Sequence, residues 1–191
     1  MYICSVCRIL QLIAILTFGL ATMVAAHPHV YADVTVKAMF DRDGFIGVQN
    51  HWVFDEMYSA AMSASVANPD EIKKAVLEPI ASSNYYNYVL AETNFLQARD
   101  IKNFRAEMKN GKLVLDFTVA FSVSAKPDYT MVTIVVSDLT NYIQITTDME
   151  NSDVDAPDEM DVDFFADNVK GLTLFRAFSS DVQGLYLRFK K

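Results

Sequence analysis

The sequence predicts an α+β fold, in which a mainly antiparallel β-sheet carries a helical insertion at about residues 56–90. Apolar and polar side chains alternate from Val30 to Phe40, which is the period-two pattern of a half-buried strand. The segment "DRDG" at 41–44 predicts a hairpin turn, and a second strand follows it as far as Phe54. The apolar spacing then becomes helical, so strands and helices are both expected.

The first hairpin has a register that can be worked out from its turn. A three-residue loop that ends at Gly44 suits glycine, which adopts a left-handed backbone at little cost. With that loop, Thr35 lies opposite His51 and Tyr31 lies opposite Asp55. The hairpin therefore predicts that the start of the first strand and the end of the second strand meet.

Two helix starts are predicted in the insertion. Asp55 can cap the first helix with its carboxylate. Asn68, Pro69 and Glu71 form a second start signal, because asparagine caps, proline fits the first turn and glutamate completes a capping box. Pro79 is expected to kink or split the second helix, since proline lacks the backbone N–H.

The rest of the chain predicts further antiparallel strands. The tyrosine-rich segment at 84–89 is expected to close the helical region, and Asn110-Gly111 between apolar runs predicts another hairpin. Residues 150–163 are expected to form an acidic, solvated loop, because they lack the glycine and the terminal glutamate of a calcium-binding EF-hand loop. "LTLFRAF" and "LYLRFKK" predict the last two strands.

Residues 1–26 have the pattern of a cleaved signal peptide. Arg8 precedes an apolar run of about 12 residues, shorter than the ~20 that span a bilayer, and small residues follow up to Ala26. Residues 27–191 are then expected to form a single periplasmic α+β domain with no membrane span. Both cysteines, Cys4 and Cys7, leave with the signal peptide, so no disulfide or thiolate site is expected.

Charge and motif content narrow the function classes. The formal net charge is −8, which opposes binding to nucleic acid. The sequence contains no nucleophile elbow, phosphate-binding loop or dinucleotide-binding glycine run, so an enzyme is not expected.

A metal site is predicted at His27, His29 and Asp55. Imidazole nitrogens bind zinc, nickel and copper, and a carboxylate can complete such a set. If cleavage follows Ala26, the amino group of His27 adds another nitrogen, as in the histidine brace of copper enzymes, and a copper-dependent oxidase becomes an alternative. The other interpretation is that the histidines only begin a strand and that Asp55 only caps a helix. His51 is interpreted as a structural or interface histidine.

Four motifs, "HPHVYADV", "FDRDG", "HWVFDEMYS" and "LVLDFTVAFSV", resemble the bacterial domain-of-unknown-function family 1007. The resemblance runs from His27 to about Thr147. It implies a periplasmic component of an ABC-type transport system. It also implies that members tend to accompany transport systems for nickel, cobalt or zinc. The calcium-binding insertion implied for many members is replaced here by "ASVANPDEIKK".

The predicted function is therefore a periplasmic binding or accessory component of an ABC-type transport system. It would handle a divalent transition metal, with inner-membrane transporter components as partners. The alternative is a non-enzymatic structural or protein-interaction module of the cell envelope.

Overall fold

The computed structural model describes residues 30–140, 142–169 and 182–191. Strands contain 56% of these residues and helices contain 19%. The predicted α+β class is therefore wrong, because the fold is mainly β and consists of two sheets. The strands are β1 (Val30–Asp41), β2 (Gly44–Phe54), β3 (Asn87–Ala91), β4 (Asn94–Phe95), β5 (Ile101–Lys109), β6 (Lys112–Ser124), β7 (Thr130–Val136), β8 (Ile143–Thr147), β9 (Asp153–Asp155), β10 (Asp161–Asn168) and β11 (Gln183–Lys190).

The first sheet has the strand order β5-β6-β2-β1-β8. β9 also pairs with β1, further along that strand than β8. Both β8 and β9 run parallel to β1, whereas the other pairs of this sheet are antiparallel. The sheet is therefore mixed, which the expectation of antiparallel strands missed.

The second sheet has the order β10-β11-β7-β3-β4, and all its pairs are antiparallel. It packs on the first sheet through apolar side chains. The rings of Phe40 and Phe189, one from each sheet, lie 4.9 Å apart in an edge-to-face arrangement. The indole of Trp52 in β2 stacks on Tyr86, just before β3, with ring centroids 6.5 Å apart. The core thus lies between the sheets, and the even-numbered residues of β1 face it, as the alternation predicted.

The predicted helical insertion is broken into short pieces. α1 (Glu56–Met62) and α2 (Pro69–Ile72) are joined by a 3₁₀ turn, and a π-helical turn (Lys73–Leu77) and a 3₁₀ segment (Glu78–Tyr86) follow. The backbones of Asn84, Tyr85 and Tyr86 have φ of 52°, 55° and 61°, which ends helical geometry. The next five residues form β3, so the insertion ends earlier than predicted. No helix in the described ranges is long and apolar enough to span a bilayer.

The two predicted hairpins are present. Thr35 pairs with His51, as expected, although the turn has two residues and a register shift follows between Met39 and Phe40. Asn110 and Gly111 form the second turn, with φ of 53° and 79°.

The segment 150–163 is not only a loop. It contains β9, which pairs with β1, and the first residues of β10. "LYLRFKK" lies mostly in β11, as predicted, whereas "LTLFRAF" lies outside the described residues.

Alanine at Gly44 should destabilise the protein more than alanine at Gly111. Gly44 has φ of 141°, and an added Cβ would collide with the carbonyl oxygen of Val123 and lie 2.6 Å from the nitrogen of Ala125. We expect a loss of about 2–3 kcal/mol in the free energy of unfolding. Gly111→Ala should cost about 1 kcal/mol, because nothing lies within 4 Å of its Cβ position and only the positive φ is unfavourable. Urea unfolding followed by circular dichroism measures both, and equal losses would show that the collision is relieved.

Candidate functional site

Asp55 joins the open end of the first hairpin to α1. Its Oδ2 accepts a hydrogen bond from the backbone N–H of Tyr31 at 2.8 Å, and its Oδ1 accepts one from the N–H of Tyr58 at 2.9 Å. The backbone N–H of Asp55 donates to the Tyr31 carbonyl at 3.0 Å. Asp55 therefore caps α1, as predicted, and lies beside Tyr31, as the hairpin register predicted.

The environment of Asp55 favours its ionised form. Desolvation by burial opposes ionisation, but backbone N–H groups, that of Tyr31 foremost, hold the pKa of Asp55 below its usual value of 3.8. Burial raises the pKa of the neighbouring Tyr58, and the charges of Tyr142 and Asp55 add to that shift. The backbone N–H groups of Met57 and of Asp55 itself also lower the pKa of Asp55, so four backbone N–H groups interact with the carboxylate.

Of the three predicted metal ligands, the structure places Asp55 alone, because His27 and His29 lie outside the described residues. Among the residues that are described, no group of three or more His, Cys, Asp or Glu side chains is arranged to hold a metal ion. A metal at Asp55 would therefore need the histidines that precede Val30 in the sequence.

Ser59 fixes α1 to the first sheet and was not predicted as a site residue. It is fully buried, and its Oγ accepts a hydrogen bond from the N–H of Leu113 at 2.7 Å. The same hydroxyl is 2.5 Å from the carbonyl oxygen of Asp55, to which it donates. Asp55 is thus held from both sides, by β1 and, through Ser59, by β6. The serine in "FDEMYS" is the sequence signal for this contact.

His51 lies on the outer face of the first sheet, away from Asp55. Its Nδ1 is 2.7 Å from Oδ1 of Asp116 in β6, and both side chains are partly exposed. Four residues of strand separate His51 from Asp55, which is about 13 Å. His51 therefore links β2 to β6 and does not join the predicted metal ligands.

Acid should remove the stability that Asp55 contributes. Because the folded-state pKa is lowered, this contribution is present above the usual value of 3.8 and is lost as the pH falls through the folded-state pKa. Asp55→Asn keeps the shape but removes the charge and one of the two acceptor oxygens, so it should cost about 0.5–1.5 kcal/mol near neutral pH. Urea unfolding of both proteins from about pH 6 to pH 3 should show this difference shrinking. A difference that stays constant with pH would mean that the charge of Asp55 does not stabilise the fold.

These features define a two-sheet β protein whose first hairpin is closed by an aspartate that also caps a helix. A family model described as "Protein of unknown function (DUF1007)" matches residues 12–166, and the chain belongs to this family. The match confirms the resemblance found in the first hairpin and in the segments around Asp55 and β6. No curated protein matches the chain.

Proposed function

We propose that the protein is an exported, periplasmic binding or accessory component of an ABC-type transport system. It handles a divalent transition metal, zinc, nickel or copper, and His27, His29 and Asp55 are the ligands. The observation that carries the proposal is the position of the Asp55 carboxylate against the N–H of Tyr31, where the chain enters β1.

Chain connectivity supports this set of ligands. His29 is two residues before Tyr31, and an extended residue spans at most about 3.6 Å, so their Cα atoms are within about 7 Å. A histidine side chain can cross that distance to the Asp55 carboxylate. His27 is two residues further, within about 14 Å of Tyr31 when the chain is extended.

The chemistry of the donors supports a borderline metal. Two imidazoles and one carboxylate suit zinc, nickel and copper, whereas calcium and magnesium prefer oxygen ligands alone. The lowered pKa of Asp55 keeps its carboxylate ionised at neutral pH. Metal affinity should fall below about pH 6.5, because protonated imidazole is not a ligand.

The mainly β class of the fold favours an accessory role. A solute receptor of such systems usually has two α/β lobes around a cleft, whereas the described residues form two packed β-sheets with short helices. A metal held at the edge of one β domain is better suited to delivery or sensing next to the inner-membrane components.

Calorimetry of the protein processed in its own cell envelope tests the proposal. Zinc, nickel and copper are titrated separately into the wild type and into Asp55→Asn. His51→Ala is the matched control, because it removes a histidine that does not reach Asp55. One metal should bind at micromolar concentration or below, more weakly in Asp55→Asn and unchanged in His51→Ala. Failure of all three metals to bind would contradict the proposal.

A structural or protein-interaction module is the second candidate. Exposed apolar side chains on the second sheet favour it: Phe165 is 59% exposed and stacks on Tyr186, and Met131 is 57% exposed. Replacing His27 and His29 with alanine separates the two candidates. An interaction module would keep its partner and its phenotype, and a metal carrier would lose its metal and its phenotype.

A further inference from the structure

The edge of the first sheet is open where β6 continues beyond β5. β5 pairs with β6 as far as Val119. The N–H of Arg99 then donates to the Ala120 carbonyl at 2.9 Å, and the Ala120 N–H donates to the Asp100 carbonyl at 2.8 Å. Beyond this point, no described strand pairs with residues 121–124 of β6 on the β5 side. A strand edge of four residues is thus available to another chain.

A pocket of about 360 Å³ lies along this edge. Its volume is within the range of sites that bind small ligands. The start of β2, the end of β6 and the residues before β5 surround it. The polar and charged side chains that line it include Asp43, Arg99, Asp100, Lys102, Ser122 and Ser124.

Two irregularities of the sheet border the pocket. The register of β2 on β6 shifts between Phe45 and Gly47, and the register of β5 on β6 shifts between Lys102 and Arg105. Such bulges bend a strand and re-aim its side chains, and they are common beside binding sites. The first shift occurs where β6 loses its partner on the β5 side, and the second lies inside the β5-β6 pair, next to Lys102.

Among the described residues, two cationic side chains and three carboxylates line the pocket and form no ion pair with each other: Arg99, Lys102, Asp41, Asp43 and Asp100. The carboxylates of Asp41 and Asp100 accept backbone N–H groups. Within the described ranges, the side chains of Arg99 and Lys102 form no ion pair or hydrogen bond, and neither does the carboxylate of Asp43. Arg99 lies at the Ala120 end of the open edge. Asp43 lies at the other end, because its carbonyl accepts the N–H of Ala125.

The ends of the open edge are too far apart for one amino acid. Four residues of strand separate Ala120 from Ser124, which is about 13 Å. The charges of a free amino acid are only a few ångströms apart, whereas three extended residues span about 10 Å. Arginine forms bidentate hydrogen bonds with carboxylates, and aspartate accepts hydrogen bonds from an ammonium group.

We infer that this pocket binds a short zwitterionic peptide of about three residues. The peptide adds a strand to β6 in the antiparallel direction, in line with β5. Its carboxylate lies at Arg99 and Lys102, and its ammonium group lies at Asp43. Main-chain hydrogen bonds to the open edge supply affinity without selecting a sequence, as in other cases of strand addition.

Calorimetric titration with trialanine tests this inference. Trialanine should bind at one site per chain, and free alanine should bind at least tenfold more weakly. Trialanine amide, which lacks the carboxylate, and acetyl-trialanine, which lacks the ammonium group, should each lose tenfold or more. Arg99→Gln should weaken trialanine binding by a similar factor. Arg105→Gln is the matched control, because it removes the same charge from β5 outside this pocket, and it should change binding less than twofold.

Three results would overturn the inference: no binding of trialanine at millimolar concentration, equal binding of alanine, or equal weakening by both arginine variants. Circular dichroism checks that the variants fold. If Arg99→Gln does not fold, trialanine amide and acetyl-trialanine still test the inference, because they are titrated into the wild-type protein. The site shares no residue with the proposed metal ligands, so each proposal stands or fails by its own titration.

Discussion

Trp52→Ala is expected to lower the free energy of unfolding by about 3–5 kcal/mol. Trp52 is fully buried, and its ring contacts those of Phe54, Phe117 and Tyr86 at centroid distances of 5.9, 5.6 and 6.5 Å. Alanine would leave a large cavity between the two sheets. It would also remove the indole N–H that donates to the buried Asn50 side chain at 3.3 Å.

Urea unfolding followed by far-UV circular dichroism measures this loss. Fluorescence is unsuitable, because Trp52 is the only tryptophan in the chain. Phe165→Ala is the control, since that ring is 59% exposed and its removal should cost less than about 1 kcal/mol. A loss at Trp52 as small as the loss at Phe165 would mean that the sheets do not pack around the indole.

Replacing His27 and His29 together with alanine should reduce metal affinity at least about 100-fold. Mutation of a residue that only orients a metal ligand by a hydrogen bond typically lowers metal affinity about 10–100-fold, and this change removes two ligands themselves. Asp55 would remain alone, and no other described group can hold the ion.

Calorimetry of the processed double variant measures this effect with the metal that the wild type binds best. His51→Ala should retain the wild-type affinity, because its imidazole pairs with Asp116. A double variant that binds as tightly as the wild type would exclude His27 and His29 as ligands. An equal loss in His51→Ala would show that the effect is not specific to the predicted site.

The sequence predicts well those features that depend on neighbouring residues. The strand alternation of β1 and the Asn110-Gly111 turn are local patterns, and both are present. The contact of Asp55 with Tyr31 followed from the same hairpin, because two antiparallel strands with a short turn have one main register.

The fold class depended on features that have no local pattern. The residues after Asp55 have helical spacing, yet their helices are short, and left-handed backbones at Asn84, Tyr85 and Tyr86 turn the chain into β3. Tyrosine gives no sequence signal for such a turn, and asparagine gives a weaker signal than glycine. The parallel pairing of β8 and β9 with β1 joins residues about 115 positions apart, which no short window of sequence reveals.

The candidate sites likewise divide into features that follow from neighbouring residues and features that depend on long-range contacts. The position of Asp55 as a helix cap beside Tyr31 was predicted, because the end of a strand and the start of a helix meet at one residue. Its role as a metal ligand stays a prediction. The open edge of β6 was not predicted, because it depends on where β5 begins and on a register shift between β2 and β6. The burial of Ser59 likewise depends on α1 packing against β6, a long-range contact.

Metal content of the protein purified from its own envelope tests the central proposal most directly. Elemental analysis should find close to one zinc, nickel or copper ion per processed chain, and almost none in the His27→Ala/His29→Ala variant prepared in the same way. A processed wild-type protein without metal, or a double variant with as much metal as the wild type, would contradict the proposal.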